Sequence, residues 1–139
     1  MPRRWVLDTH ALIWYLEGNP RLGEGVREVM DSPQSHLVLP IIALAEAAYI
    51  VEKGRTGVPS IEDLLDSVLS DSRVQIYPLD WDVFRQSLPL ASIPDMHDRQ
   101  IVATALVLAA RGYSVALLTC DPTIIGSGLI PTIWEHSPQ

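Results

Sequence analysis

The chain has 139 residues, 47% of them hydrophobic and 19% charged, enough to bury a real core and too apolar for an intrinsically disordered segment. A net charge of −7, with Lys53 as the sole lysine among 10 basic residues, argues against a protein that coats nucleic acid electrostatically, although a bound cation supplies positive charge locally. No apolar run approaches the roughly 20 residues of a membrane helix, and the lone Cys120 excludes an internal disulfide.

Met1-Pro2-Arg3-Arg4 lead straight into strand-like residues and leave no room for a secretory signal, so a cytoplasmic protein is expected. Trp5-Val6-Leu7 predicts a first strand and Thr9 to Leu16 a short helix, broken by Gly18-Asn19-Pro20. Leu22 to Met30 suits a second helix, and His36 to Leu39 a second strand. Pro40 fits the first turn of a helix that runs to about Lys53, where Gly54 stops it. Ser60 opens a helix to about Leu69, and Val74 to Tyr77 forms a strand that Pro78 ends. Asp80 caps a helix from Trp81 to Leu88, and Pro89 and Pro94 bracket a loop. Asp95 begins a long apolar helix that ends near Gly112. Val115 to Thr119 is a fourth strand, and Pro131 to Trp134 a candidate fifth.

Strands that alternate with helices across short connections predict one α/β domain over residues 1–139. It is expected to be a three-layer α/β/α sandwich around a mainly parallel sheet of four to five strands, each apolar on both faces.

Four acids stand out against this apolar background. Asp8 ends the first strand, Glu46 interrupts an apolar helix, Asp98 opens the long helix, and Asp121 follows the fourth strand. Each has an ordinary structural explanation. Asp8 and Asp121 suit helix N-caps, with Pro122 after Asp121. Asp98 sits where a helix dipole favours an anion, and Asp95 is the better cap there. Glu46 has Lys53 as a partner only if that helix face is exposed; on a buried face its charge needs another partner. Together, acids at the carboxyl ends of parallel strands and at neighbouring helix starts describe a ligand site. Like charges gathered there require a cation or bound protons. His10, His36, His97 and His136 show no zinc spacing, and Gly126-Ser127-Gly128 lacks the lysine of a phosphate loop.

Val6-Leu7-Asp8-Thr9-His10-Ala11-Leu12-Ile13-Trp14 resembles the opening of PIN-domain nucleases, and within them the VapC-type toxins of bacterial toxin–antitoxin pairs. Ile42-Ala43-Leu44-Ala45-Glu46 resembles the helix that carries the family's glutamate. Asp98-Arg99-Gln100-Ile101-Val102-Ala103-Thr104-Ala105 resembles the central D-R-x-[IL]-[IV]-A-x-A signature, and Leu117-Leu118-Thr119-Cys120-Asp121 the late strand with its T-x-D ending. The likeness spans the chain in the family's order. One departure precedes Asp98, where Met96-His97 replaces part of a D-P-x-D-R run while Asp95 matches.

The resemblance implies an Mg²⁺- or Mn²⁺-dependent endoribonuclease, the toxin of a type II pair, that hydrolyses RNA phosphodiester bonds with a metal-activated water. Asp8, Glu46, Asp98 and Asp121 would be catalytic, with Asp8, Asp98 and Asp121 as metal ligands and Glu46 orienting the water. Thr119 would support the cluster by hydrogen bonding, and Arg99 would contact phosphate, brace an acid or form a surface ion pair. A cognate small antitoxin and a homodimer are the implied partners beside RNA. Two other readings stay open: a housekeeping RNA-processing PIN nuclease without an antitoxin, and a non-catalytic PIN domain that binds metal or a partner. A receiver domain or a dehalogenase-type phosphatase fits poorly, for want of paired early acids, a late lysine or a D-x-D run.

Overall fold

The computed structural model describes residues 3–135. In chain order the elements are β1 (Arg3–Leu7), α1 (Thr9–Glu17), α2 (Glu24–Asp31), β2 (His36–Pro40), α3 (Ile41–Glu52), α4 (Ile61–Leu69), β3 (Val74–Tyr77), α5 (Trp81–Ser87), α6 (Met96–Ala110), β4 (Ser114–Leu118), α7 (Pro122–Ser127) and β5 (Thr132–Ile133). All pairings are parallel, in the order β3-β2-β1-β4-β5. The expected parallel α/β sheet is present, with five strands among the described residues.

Consecutive residues of the central strands are buried: Val6 and Leu7 in β1, Leu37 to Leu39 in β2, Val115 to Leu118 in β4. Side chains alternate sides along a strand, so both faces of the sheet are covered and the core is continuous through it. Ile101, Val102, Ala103 and Ala105 of α6 join that core and make it the most deeply buried helix.

The sequence-based boundaries hold to within a few residues, with two differences of kind. Pro40 is the last residue of β2, paired with Tyr77, and precedes the helix in extended geometry (φ −58°, ψ 135°). Its fixed φ suits a strand end as well as a helix start, and it needs no N–H here. The Asp121-Pro122 cap opens a six-residue helix, α7, that the apolar pattern alone does not announce. Gly18 closes α1 in the left-handed region at φ 65°, where its N–H caps the Trp14 and Tyr15 carbonyls.

The strand order reverses direction at β1. From there the chain builds outward to β2 and β3, then returns to place β4 and β5 on the other side. Between the carboxyl ends of β1 and β4 a crevice forms, the place where open parallel sheets take ligands. No helix among the described residues is long and apolar enough to cross a membrane.

Candidate active site

Asp8 follows β1 directly, and its N–H donates to the Leu118 carbonyl of β4 at 3.2 Å, so the two strand ends are tied together at the crevice. Asp8 is also the α1 N-cap, but its Oδ1 accepts from the next N–H, that of Thr9, at 2.8 Å, and its Oδ2 from the Thr119 hydroxyl at 2.6 Å. Thr119 in turn accepts from the Asp121 N–H at 3.1 Å. One fully buried hydroxyl thus links the two acids that end neighbouring strands.

Asp121 caps α7 through the Thr123 and Ile124 N–H groups, both on Oδ1, at 2.8 and 3.1 Å. Asp95 caps α6 through the Asp98 N–H at 3.0 Å, the role expected of it. Asp98 is left free of capping duty in the first turn of the same helix. Glu46 projects from the middle of α3, half-buried, with Oε1 accepting the Thr9 hydroxyl and Oε2 lying 3.6 Å from His97 Nδ1. It does not pair with Lys53, whose ammonium stands 5.3 Å over the Tyr49 ring.

Asp8, Glu46, Asp95, Asp98 and Asp121 line one cavity of about 400 Å³, together with His10, Trp14, Cys120 and Pro122. The four acids singled out in the sequence therefore meet. Arg99 does not join them: its Nε donates to the Ile93 carbonyl and holds the loop before α6 against the helix. That is a fourth use, beside the phosphate contact, the acid brace and the surface ion pair open from sequence. The sequence marks His10 as a neighbour of Asp8 and Trp14 as an aromatic candidate for RNA contact, with core packing the commoner use of such a residue, but it places neither in the cavity. The available signal was their i, i+4 spacing one turn into α1, on the side of the helix that starts at Asp8.

Electrostatically the cavity is one-sided, since no lysine or arginine is among its lining residues. Burial, then the charges of Asp8, Asp95, Asp121 and Glu46, push Asp98 up to about 7. Burial also raises Asp8, against the opposing hydrogen bonds from Thr119 and Thr9. At neutral pH such a cluster needs either protons or a cation. The donors are hard carboxylate oxygens facing open space, which fits a divalent cation that keeps several waters. Among the described residues no three His, Cys, Asp or Glu side chains are gathered on one ion-sized point. The donor chemistry fits the ion, and the side chains set no ion position.

The sequence matches the family model of the PIN domain over residues 5–125. A search of curated proteins found no match. Among solved structures the chain is similar to VapBC2 of Rickettsia felis bound to a promoter DNA fragment, at 15% identity and a TM-score of 0.70, covering 95% of this chain and 99% of that one. It is similar to VapC20 of Mycobacterium tuberculosis, a sarcin-ricin loop cleaving toxin, at 16% identity and a TM-score of 0.67, covering 96% and 99%. DNA-bound VapBC of Salmonella typhimurium matches at 20% identity and a TM-score of 0.66, covering 96% and 98%. At these identities the likeness is one of fold.

Proposed function

The chain belongs to the PIN-domain family, and from that premise we propose that it is a divalent-cation-dependent endoribonuclease and the toxin of a type II toxin–antitoxin pair. The observation that carries this reading is the meeting of Asp8, Glu46, Asp98 and Asp121 in one cavity that has no lysine or arginine among its described lining residues. The fold neighbours, which include VapBC complexes, a toxin–antitoxin complex and a VapC toxin, support the toxin role and a small cognate antitoxin as partner. A homodimer is proposed with it.

In this mechanism Asp8 and Asp98 would hold an Mg²⁺ or Mn²⁺ ion, with Asp121 completing the set directly or through water. When bound, the ion supplies an activated water and offsets negative charge gathering on the phosphate. Thr119 fixes the Asp8 carboxylate in orientation and couples it to the Asp121 backbone. Glu46, anchored at Oε1 by Thr9, keeps Oε2 available to orient the attacking water and accept its proton. Attack forms the new phosphorus–oxygen bond as the bond to the ribose oxygen of the adjoining nucleotide breaks, and that oxygen leaves with a proton taken from solvent.

Purified protein should cut RNA internally with Mg²⁺ or Mn²⁺, stop in EDTA, and lose cleavage in Asp8→Asn. Full activity in EDTA, or in Asp8→Asn, would sink the proposal. Growth arrest on expression, relieved by a small neighbouring gene product, tests the toxin role separately.

A further inference from the structure

One wall of the acid cavity is aromatic. His10 and Trp14 both line it, with ring centroids 5.4 Å apart and planes inclined at 61°. Behind them Trp134 meets Trp14 edge-on at 5.9 Å, and the Arg21 guanidinium lies 4.4 Å over the Trp14 ring. The packing beneath is tight. Gly23 lies so close to Trp134 that a Cβ there would fall 2.3 Å from the Trp134 carbonyl oxygen and 2.8 Å from its ring, so only glycine admits this indole. The Trp134 carbonyl is itself bound by the Val26 N–H at 3.1 Å.

Core packing accounts for part of the Trp14 ring, which is half-buried against the apolar cluster. It does not account for the part of the indole that borders an acidic cavity. The acids themselves repel a phosphate, so a nucleic acid held here gains from an uncharged contact beside whatever a cation supplies. A flat π-surface supplies such a contact without regard to charge, and Arg21 lies over the same ring from outside the cavity lining.

We propose that Trp14, braced by Arg21 and Trp134 and flanked by His10, is a stacking platform for an unpaired base next to the phosphate that is cut. This rests on the ribonuclease reading above and narrows its substrate to RNA whose bases at the cut are unstacked from a duplex. Trp14 is a binding residue: it holds the nucleotide, and the acids perform the chemistry.

The test compares wild type, Trp14→Phe and Trp14→Ala on a single-stranded RNA oligonucleotide with Mn²⁺, using the intact base or an abasic residue beside the cut. Base–aromatic stacking is worth on the order of tenfold to a hundredfold in binding. Trp14→Ala should therefore raise KM by at least about tenfold with little change in kcat, while Trp14→Phe keeps most of the binding. Removing the base should cost wild type a similar factor and Trp14→Ala almost nothing. Equal sensitivity of wild type and Trp14→Ala to base removal would overturn the platform, as would an unchanged KM in a Trp14→Ala protein whose melting temperature matches wild type. If Trp14→Ala fails to fold, the comparison of wild type with Trp14→Phe on an oligonucleotide lacking either flanking base decides: no cost of base removal in wild type overturns the platform. Wild type that cuts no RNA would instead overturn the ribonuclease reading, and the platform with it.

Discussion

The two edges of one sheet treat carboxylates in opposite ways. At the amino-terminal edge Asp71 is matched by Arg73, whose Nε and Nη2 reach both of its oxygens at 3.0 and 2.8 Å. The remaining Arg73 nitrogen closes the end of α2 by donating to the Met30 and Ser32 carbonyls, each at 2.7 Å. Those hydrogen bonds hold Asp71 below the ordinary carboxylate range. At the carboxyl-terminal edge Asp98 has no such partner among the described residues, and burial with four like-charged neighbours pushes it up to about 7. One edge spends its charges on holding the fold together. The other keeps them uncompensated, which is a cost to the fold and the property a cation site needs.

Substitutions at the two edges should therefore separate activity from stability. The largest effect is expected for Asp98→Asn, which removes a proposed cation ligand: cleavage should fall by about a hundredfold or more. The same variant should melt at a higher temperature than wild type in EDTA, because one repelled charge is gone. A loss of melting temperature in EDTA would mean that Asp98 is a structural acid like Asp71.

Next in size is Arg73→Ala. It strands a carboxylate and two carbonyls, and should cost about 2–3 kcal/mol in denaturant unfolding. Cleavage per folded molecule should stay at the wild-type level. A matching loss of activity would show that the two edges are not independent.

The most diagnostic effect is in pH. Folding favours ionised Asp71, so its contribution is complete above the ordinary value of 3.8 and fades as pH falls through its lower folded value. Folding disfavours ionised Asp98, so cation-free protein should lose stability as pH rises from 3.8 to about 7, and no further above that. Asp98→Asn should flatten the window between those values, and Arg73→Ala the acid limb below it. Melting curves in EDTA across that range read both; identical profiles for the two variants would erase the distinction.

How far these edges are legible in the sequence follows from the range of their contacts. Asp8 and Asp121 could be placed at strand ends because strand, acid and helix start are adjacent in the chain, and the parallel sheet then brings them together. Glu46 was legible as an anomaly, an acid inside an apolar helix, but its partners were not. Thr9 lies on another helix, 37 residues away, and His97 on a third. Arg73 was invisible for the same reason, since its carbonyl partners stand 41 and 43 residues earlier and no residue type marks a carbonyl. Pro40 was placed in a helix because φ near −60° is common to both neighbouring elements. Trp14 reads from sequence as an aromatic for core packing or RNA contact, and the structure makes it part core, part cavity wall. Periodicity says which face of α1 turns inward, not that the face extends past the core to border a cavity.

The central claim is that the acids at the carboxyl-terminal edge are held for a divalent cation. Calorimetric titration of Mn²⁺ into chelator-stripped protein at pH 6, repeated in buffers of different ionisation enthalpy, tests it most directly. A cation entering this cluster should displace the proton that Asp98 holds at that pH. Saturable binding with proton release, lost in Asp98→Asn and unchanged in Arg73→Ala, is the expected result. No binding, or binding that Asp98→Asn leaves intact, would contradict it.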